Sequence, residues 1–270
     1  FPLFLDDRIA YGTYASPGKP GDHARSQQPM REDTYTLGKL MKSAGYTTGI
    51  FGKWGLGNPG SVSIPNKMGF DEFYGYNCQR QSHSFYPDHL WHNEEKVLFP
   101  ENENNACKTY SQDLIHEQAL KFIRDHKEQP FFAMLTYTLP HAELNLPHDS
   151  IYKMYENSFE ETPYIGKFDK VYGGYNTSEK PWPPLRMVSR LDKYVGDVMA
   201  ELKELGLDKN TIVIFTSDNG PHHEGGADPD FFKSYGLSGG SNGMYMKEVS
   251  VYLWWHGARV RSRPELNRII

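Results

Sequence analysis

Three polar groupings in this chain each follow a strand-like run. Lys53 follows 46–51, His141 follows 131–135, and the pair Asp218-Asn219 follows 212–215. Their chemistries are complementary. A lysine ammonium is a compact positive charge, and an imidazole can donate to an oxyanion or hand over a proton. Carboxylate and amide oxygens are hard donors suited to Ca²⁺ or Mg²⁺. A divalent cation, a lysine and a histidine around a tetrahedral oxyanion suit the hydrolysis of a sulfate or phosphate ester. One polar residue after a strand is ordinary loop polarity. Three of these kinds point to a shared site, because open parallel sheets bind ligands beyond the carboxyl ends of their strands.

The elements that must carry these groups can be read from periodicity. Residues 1–33 are irregular. A first helix begins at a Thr34 or Thr36 cap, with Leu37, Leu40, Met41 and Ala44 on one face and Gly45 as its stop. The run 46–51 then reads as a short strand. From Gly55 to about Lys108 the composition predicts a long loop rich in Gly, Asn, Pro and aromatics. A second helix is expected over Ser111 to Asp125, with a stripe of Leu114, Ile115, Ala119, Phe122 and Ile123. Phe131 to Leu135 follows as a buried strand. A third helix runs from about Pro184 to Gly206 on Val188, Leu191, Val195, Val198, Met199, Leu202 and Leu205. Ile212 to Phe215 reads as a strand buried on both faces, and Val249 to Trp255 as a last one. Helices alternating with continuous apolar strands predict an α/β fold, a mainly parallel sheet sandwiched by helices, in a single domain over 1–270.

A net charge of −5 with no basic stripe argues against a nucleic-acid partner. No apolar run approaches the ~20 residues of a membrane span. The first residues, from Phe1 to Arg8, lack the basic start and cleavage site of a signal peptide, and the chain does not open on Met, so it reads as an excerpt. Cys78 and Cys107 match no zinc-binding spacing; they are either buried thiols or a pair formed on export.

At the same residues the chain resembles a known family. The run from Gly45-Tyr46-Thr47-Thr48 to Gly52-Lys53-Trp54-Gly55-Leu56-Gly57 is similar to the second signature of type I sulfatases, in many of which Gly55 is a His. Phe70 to Arg80 resembles sulfatases of the arylsulfatase A-like kind. The stretch Pro130-Phe131-Phe132 to Pro140-His141-Ala142 resembles the strand leading to the family's substrate-binding His. Ile214-Phe215-Thr216-Ser217-Asp218-Asn219-Gly220-Pro221 resembles its metal-binding strand. The resemblance implies an alkaline-phosphatase-like fold, truncated here, and hydrolysis of a small-molecule or glycan sulfate ester. It implies metal ligation by Asp218 and Asn219, with Ca²⁺ or possible Mg²⁺. It places Lys53 on the sulfate, His141 on the sulfate or leaving oxygen, and Gln79 and His83 in the pocket lining. It also implies periplasmic, secreted or lysosomal placement.

The sequence departs from that pattern twice. The family attacks sulfur with a formylglycine made from Cys or Ser, yet no Cys-x-Pro-x-Arg or Ser-x-Pro-x-Arg occurs here. Where the family carries a late basic residue on the sulfate, this chain has Ser241. The expectation is therefore a sulfatase scaffold with negligible turnover by these 270 residues alone. A non-catalytic sulfatase-like binding protein is the alternative, and a phosphohydrolase of the same superfold stands behind both.

Overall fold

The computed structural model describes residues 29–79, 81–141, 145–156, 158, 183–217, 254–256 and 268–269. The chain divides into two compact units, Phe1–Thr138 and Leu139–Ile270.

In the first unit, helix α1 (Leu37–Ser43) is capped by Thr36, whose Oγ1 accepts from the Lys39 amide at 3.1 Å. Its buried face is not the leucine face that periodicity predicts. Gly38 and Met41 are buried, whereas Leu37 and Leu40 are 50% and 44% exposed. The reason is a close approach: a Cβ at position 38 would lie 2.9 Å from the Phe70 ring and from the Met68 carbonyl oxygen. The helix thus presses bare backbone onto Phe70, and the leucines turn outward.

Strand β1 (Thr47–Lys53) pairs in parallel with β2 (Glu72–Tyr76) and with β5 (Phe131–Thr136). Strands β3 (His89–His92) and β4 (Glu95–Leu98) form an antiparallel hairpin, and β3 pairs antiparallel with β2. Within this unit the order is β4-β3-β2-β1-β5. The sheet is mixed, with parallel strands in the centre and an antiparallel margin. The predicted long loop from Gly55 to Lys108 is corrected accordingly: it contains β2, β3, β4 and 3₁₀ turns at Pro65–Met68, Gln81–His83 and Pro100–Asn105.

Helix α2 (Ser111–Asp125) covers one sheet face with Ile115, Ala119, Phe122 and Ile123. Phe122 meets Phe51 of β1 and Phe131 of β5, with ring centroids 5.3 and 6.1 Å apart. Side chains alternate along a strand, so Phe132 points the other way. It stacks on Phe70 at 6.3 Å, and Phe70 in turn meets Trp54 edge-on at 6.0 Å. Since Phe70 also packs on Gly38, α1 and α2 flank opposite faces of the same three parallel strands.

In the second unit, Asp149 caps α3 (Ser150–Met154), accepting from the amides of Ile151 and Tyr152 at 3.0 and 3.1 Å. Its other oxygen pairs with Arg190 of α4 (Pro183–Glu204). Arg186, one turn earlier, is buried over the Tyr152 ring at 4.2 Å and donates to the Tyr155 carbonyl. The buried face of α4 holds Arg186, Met187, Arg190, Tyr194, Val198 and Leu202, while Val188 of the expected stripe is exposed. Val198 and Leu202 of the stripe are buried, and the two arginines extend the buried face at its amino end. Strand β6 (Val213–Phe215) pairs antiparallel with β7 (Trp254–His256). β6 was expected to be buried on both faces; instead Val213 is buried, and Ile214 and Phe215 are 46% and 40% exposed. An apolar run sets the strand, but it is the number of neighbouring layers that sets burial. Strand β8 (Arg268–Ile269) is the last described element.

Candidate active site

The three parallel strands of the first unit stop together. Lys53, the last residue of β1, stands opposite Tyr76, the last of β2; Gly52 stands opposite Thr136, the last of β5. Their carboxyl ends therefore make one flush edge, the place where open sheets receive ligands. The ladder continues past it: the Trp54 amide donates to the Tyr76 carbonyl at 2.9 Å, and the Gly55 amide to the Asn77 carbonyl at 3.2 Å. The strands approach so closely here that a Cβ on Gly75 would lie 1.9 Å from the Gly52 oxygen, and one on Gly52 would lie 2.1 Å from the Thr136 oxygen.

Two fixed turns leave this edge. After β1, the Trp54 indole donates to the Ser63 carbonyl at 2.8 Å, and Ser63 Oγ donates to the Leu56 carbonyl at 2.6 Å, closing the loop on itself. After β2, the Tyr76 hydroxyl donates to the Ser84 carbonyl at 2.7 Å. Ser82 bonds back to Gln79 and Cys78, and the Gln81 side chain donates to the His89 carbonyl. Nothing in the sequence pattern marks Tyr76, Ser82 or Ser84 as supports, since their partners come from turns that periodicity does not reveal. Cys78 is buried and Cys107 exposed, and no disulfide joins them.

Of the residues singled out by sequence, Lys53, Gln79 and His83 belong to this edge and its turns. Lys53 and His83 are half-buried, and Gln79 is exposed. His141 is an exposed residue at a bend in the second unit. Asp218 and Asn219 lie outside the described residues. Among the described residues no three His, Cys, Asp or Glu side chains gather into a metal-binding group. No helix among them is long and apolar enough to cross a membrane.

A carboxylate bonded to the sheet backbone stands at the opposite edge. Asp71 accepts from the amide and hydroxyl of Thr48, both at 3.0 Å, and pairs with Lys42. Burial pushes its carboxyl up, but Lys42 and Thr48 outweigh burial and hold it below the usual range. Asp71 and Lys42 thus form an ion pair at the amino ends of the strands, the end opposite Lys53.

The first unit is thus a layered α/β sheet with a lysine at the carboxyl edge of its parallel strands. The chain belongs to the Sulfatase family, whose model matches residues 8–260. It is 26% identical over 295 residues to the arylsulfatase of Klebsiella aerogenes, covering 93% of this chain and 60% of that protein. It is 29% identical over 286 residues to the N-acetylgalactosamine-6-sulfatase of Mus musculus, covering 95% of this chain and 49% of that one. The chain therefore spans between half and three-fifths of these relatives. Among solved structures, Ps i-CgsB in complex with k-i-k-neocarrahexaose aligns with a TM-score of 0.57 at 26% identity, over 76% of this chain and 44% of that one. BT4656 in complex with D-glucosamine-2-N,6-O-disulfate aligns with a TM-score of 0.52 at 18% identity, over 74% of this chain and 53% of that one, a likeness of fold. The α/β class and the alkaline-phosphatase-like sulfatase fold expected from the sequence are those of its structural neighbours.

Proposed function

We propose that this chain carries the sulfate-recognising edge of a metal-dependent sulfuric ester hydrolase, acting on a sulfated carbohydrate or small molecule, and that both units are parts of one sulfatase-like domain. The observation that supports it most directly is the flush edge of β1, β2 and β5 with Lys53 at its rim, in a chain matched by the family from residue 8 to 260. The Lys53 ammonium would offset charge on the sulfate oxygens as the sulfur–oxygen bond breaks. His141 would donate a proton to the departing ester oxygen, which leaves as an alcohol. Asp218 and Asn219 would supply two oxygen ligands to Ca²⁺ or Mg²⁺, well short of the six to eight that Ca²⁺ takes. When bound, that cation would polarise the sulfate. Gln79 and His83 would line the pocket.

Residues 1–270 contain no Cys-x-Pro-x-Arg or Ser-x-Pro-x-Arg from which a formylglycine could be made. The proposal accordingly separates binding from turnover. Equilibrium dialysis of the full chain against labelled inorganic sulfate, with calcium present, should show binding that Lys53→Ala weakens about tenfold or more, the size of one charge-assisted hydrogen bond. Hydrolysis of p-nitrophenyl sulfate should stay at background. Equal sulfate binding by wild type and Lys53→Ala would remove the recognition half of the reading. Chelator-sensitive hydrolysis by this polypeptide would remove the other half. Ser241, standing where the family carries a basic residue, favours a non-catalytic binding protein as the second reading.

A further inference from the structure

Position 55 lies two residues past Lys53, at the same rim. Its backbone is in the left-handed region, φ +69°, and it carries no side chain. The space a Cβ would fill is taken: an ideal Cβ there would lie 2.5 Å from Gln79 Oε1, and 3.5 and 3.6 Å from Gln79 Cβ and Cα. The backbone at both positions is tied down by hydrogen bonds. The Gly55 amide donates to the Asn77 carbonyl at 3.2 Å, and the Gln79 carbonyl accepts from Ser82 Oγ at 2.7 Å. Gln79 is nonetheless exposed, so its carboxamide sits at the rim rather than in the core.

We propose that Gly55 and Gln79 form a paired specificity element: the bare Cα at 55 admits the Gln79 carboxamide to the rim beside Lys53, where it reads a neutral hydroxyl of a sulfated sugar. A carboxamide offers both a donor and an acceptor without charge, which matches a hydroxyl rather than a second anion. A flat aryl sulfate presents no such group. A side chain at 55 and the Gln79 carboxamide in this position exclude each other, so either residue changed alone loses the contact. This deepens the sulfate-ester reading and rests on it.

The test compares two probes on the full chain with calcium, galactose 6-sulfate and p-nitrophenyl sulfate, by calorimetric titration of wild type, Lys53→Ala, Gln79→Ala and Gly55→Ala. The expected pattern is that Lys53→Ala weakens both probes. Gln79→Ala and Gly55→Ala each weaken galactose 6-sulfate by about tenfold and leave p-nitrophenyl sulfate within about twofold, since one neutral hydrogen bond is at stake. Gly55→Ala should also lower the melting temperature in both the wild-type and the Gln79→Ala backgrounds, because a Cβ at φ +69° is strained whatever its neighbour, while the exposed carboxamide can swing aside. That readout needs no ligand. Lys53-dependent binding in which Gln79→Ala weakens both probes equally, or neither, overturns the pairing and leaves the sulfate reading intact. An unchanged melting temperature for Gly55→Ala overturns the left-handed backbone at 55 on which the pairing depends. Binding of both probes that ignores Lys53 overturns the sulfate reading, and the specificity role falls with it.

Discussion

Asp71 shows how single residues tie this fold together. Its carboxylate accepts from Thr48 twice and from Lys42, partners 23 and 29 positions away in the chain. The folded carboxyl is held below its ordinary value of 3.8, so its contribution is complete above that value and is lost as pH falls through the lower folded one. Asp71→Asn should cost about 1 kcal/mol at pH 7, a figure reduced for partial exposure. Urea midpoints of the two proteins measured from pH 7 down to pH 3 should converge at the acid end; a gap that widens there would refute the assignment. Lys53 was legible in the sequence because it ends an apolar strand beside a glycine. Asp71 was not, because its partners are brought to it only by the sheet.

Among the elements, α2 carries the most packing per residue on the sheet. Its limits, Ser111–Asp125, are those its 3.6-residue periodicity predicts, and Ile115, Ala119, Phe122 and Ile123 of the predicted stripe are buried. Phe122→Ala removes a ring that touches both β1 and β5, and should destabilise the protein by about 3–4 kcal/mol. A loss under about 1 kcal/mol in urea unfolding would mean that α2 does not hold the sheet as described. The hairpin of β3 and β4 was illegible for a physical reason. Each strand has four residues, and of the eight only Leu90 is buried, so no alternation shows. The one local signal was Asn93 in the two-residue turn, at φ 55°, a conformation that asparagine tolerates better than most residues. In β2, Gly75 interrupts the apolar pattern for the sake of close strand approach.

For the molecule as a whole, composition and periodicity fixed the α/β class, but not how deeply each strand lies. β6 is the clearest case, since four consecutive apolar residues suggested a strand enclosed on both sides. Only Val213 among its strand residues is buried. Val213→Ala should therefore cost about 1–2 kcal/mol, and Phe215→Ser less than about 1 kcal/mol. Thermal denaturation of both variants would decide this, and a larger loss for Phe215→Ser would show that β6 is covered in solution. Of the candidate residues, Lys53, picked out by strand order, and Gln79 and His83, picked out by motif resemblance, all fall at the carboxyl edge and its turns. The register that aligns the three strand ends, and the close approach of Gln79 to Gly55, belong to three-dimensional spacing that no single segment encodes.

The facing glycines at positions 52 and 75 work as a key cut for one alignment. Slide β2 by a single step against β1, and Tyr74 or Tyr76 would have to occupy a gap too narrow for even a methyl group. Misaligned versions of the sheet are thus rejected sterically before any ligand arrives. The glycine pair thereby favours the alignment that ends β1 at Lys53 beside the end of β2.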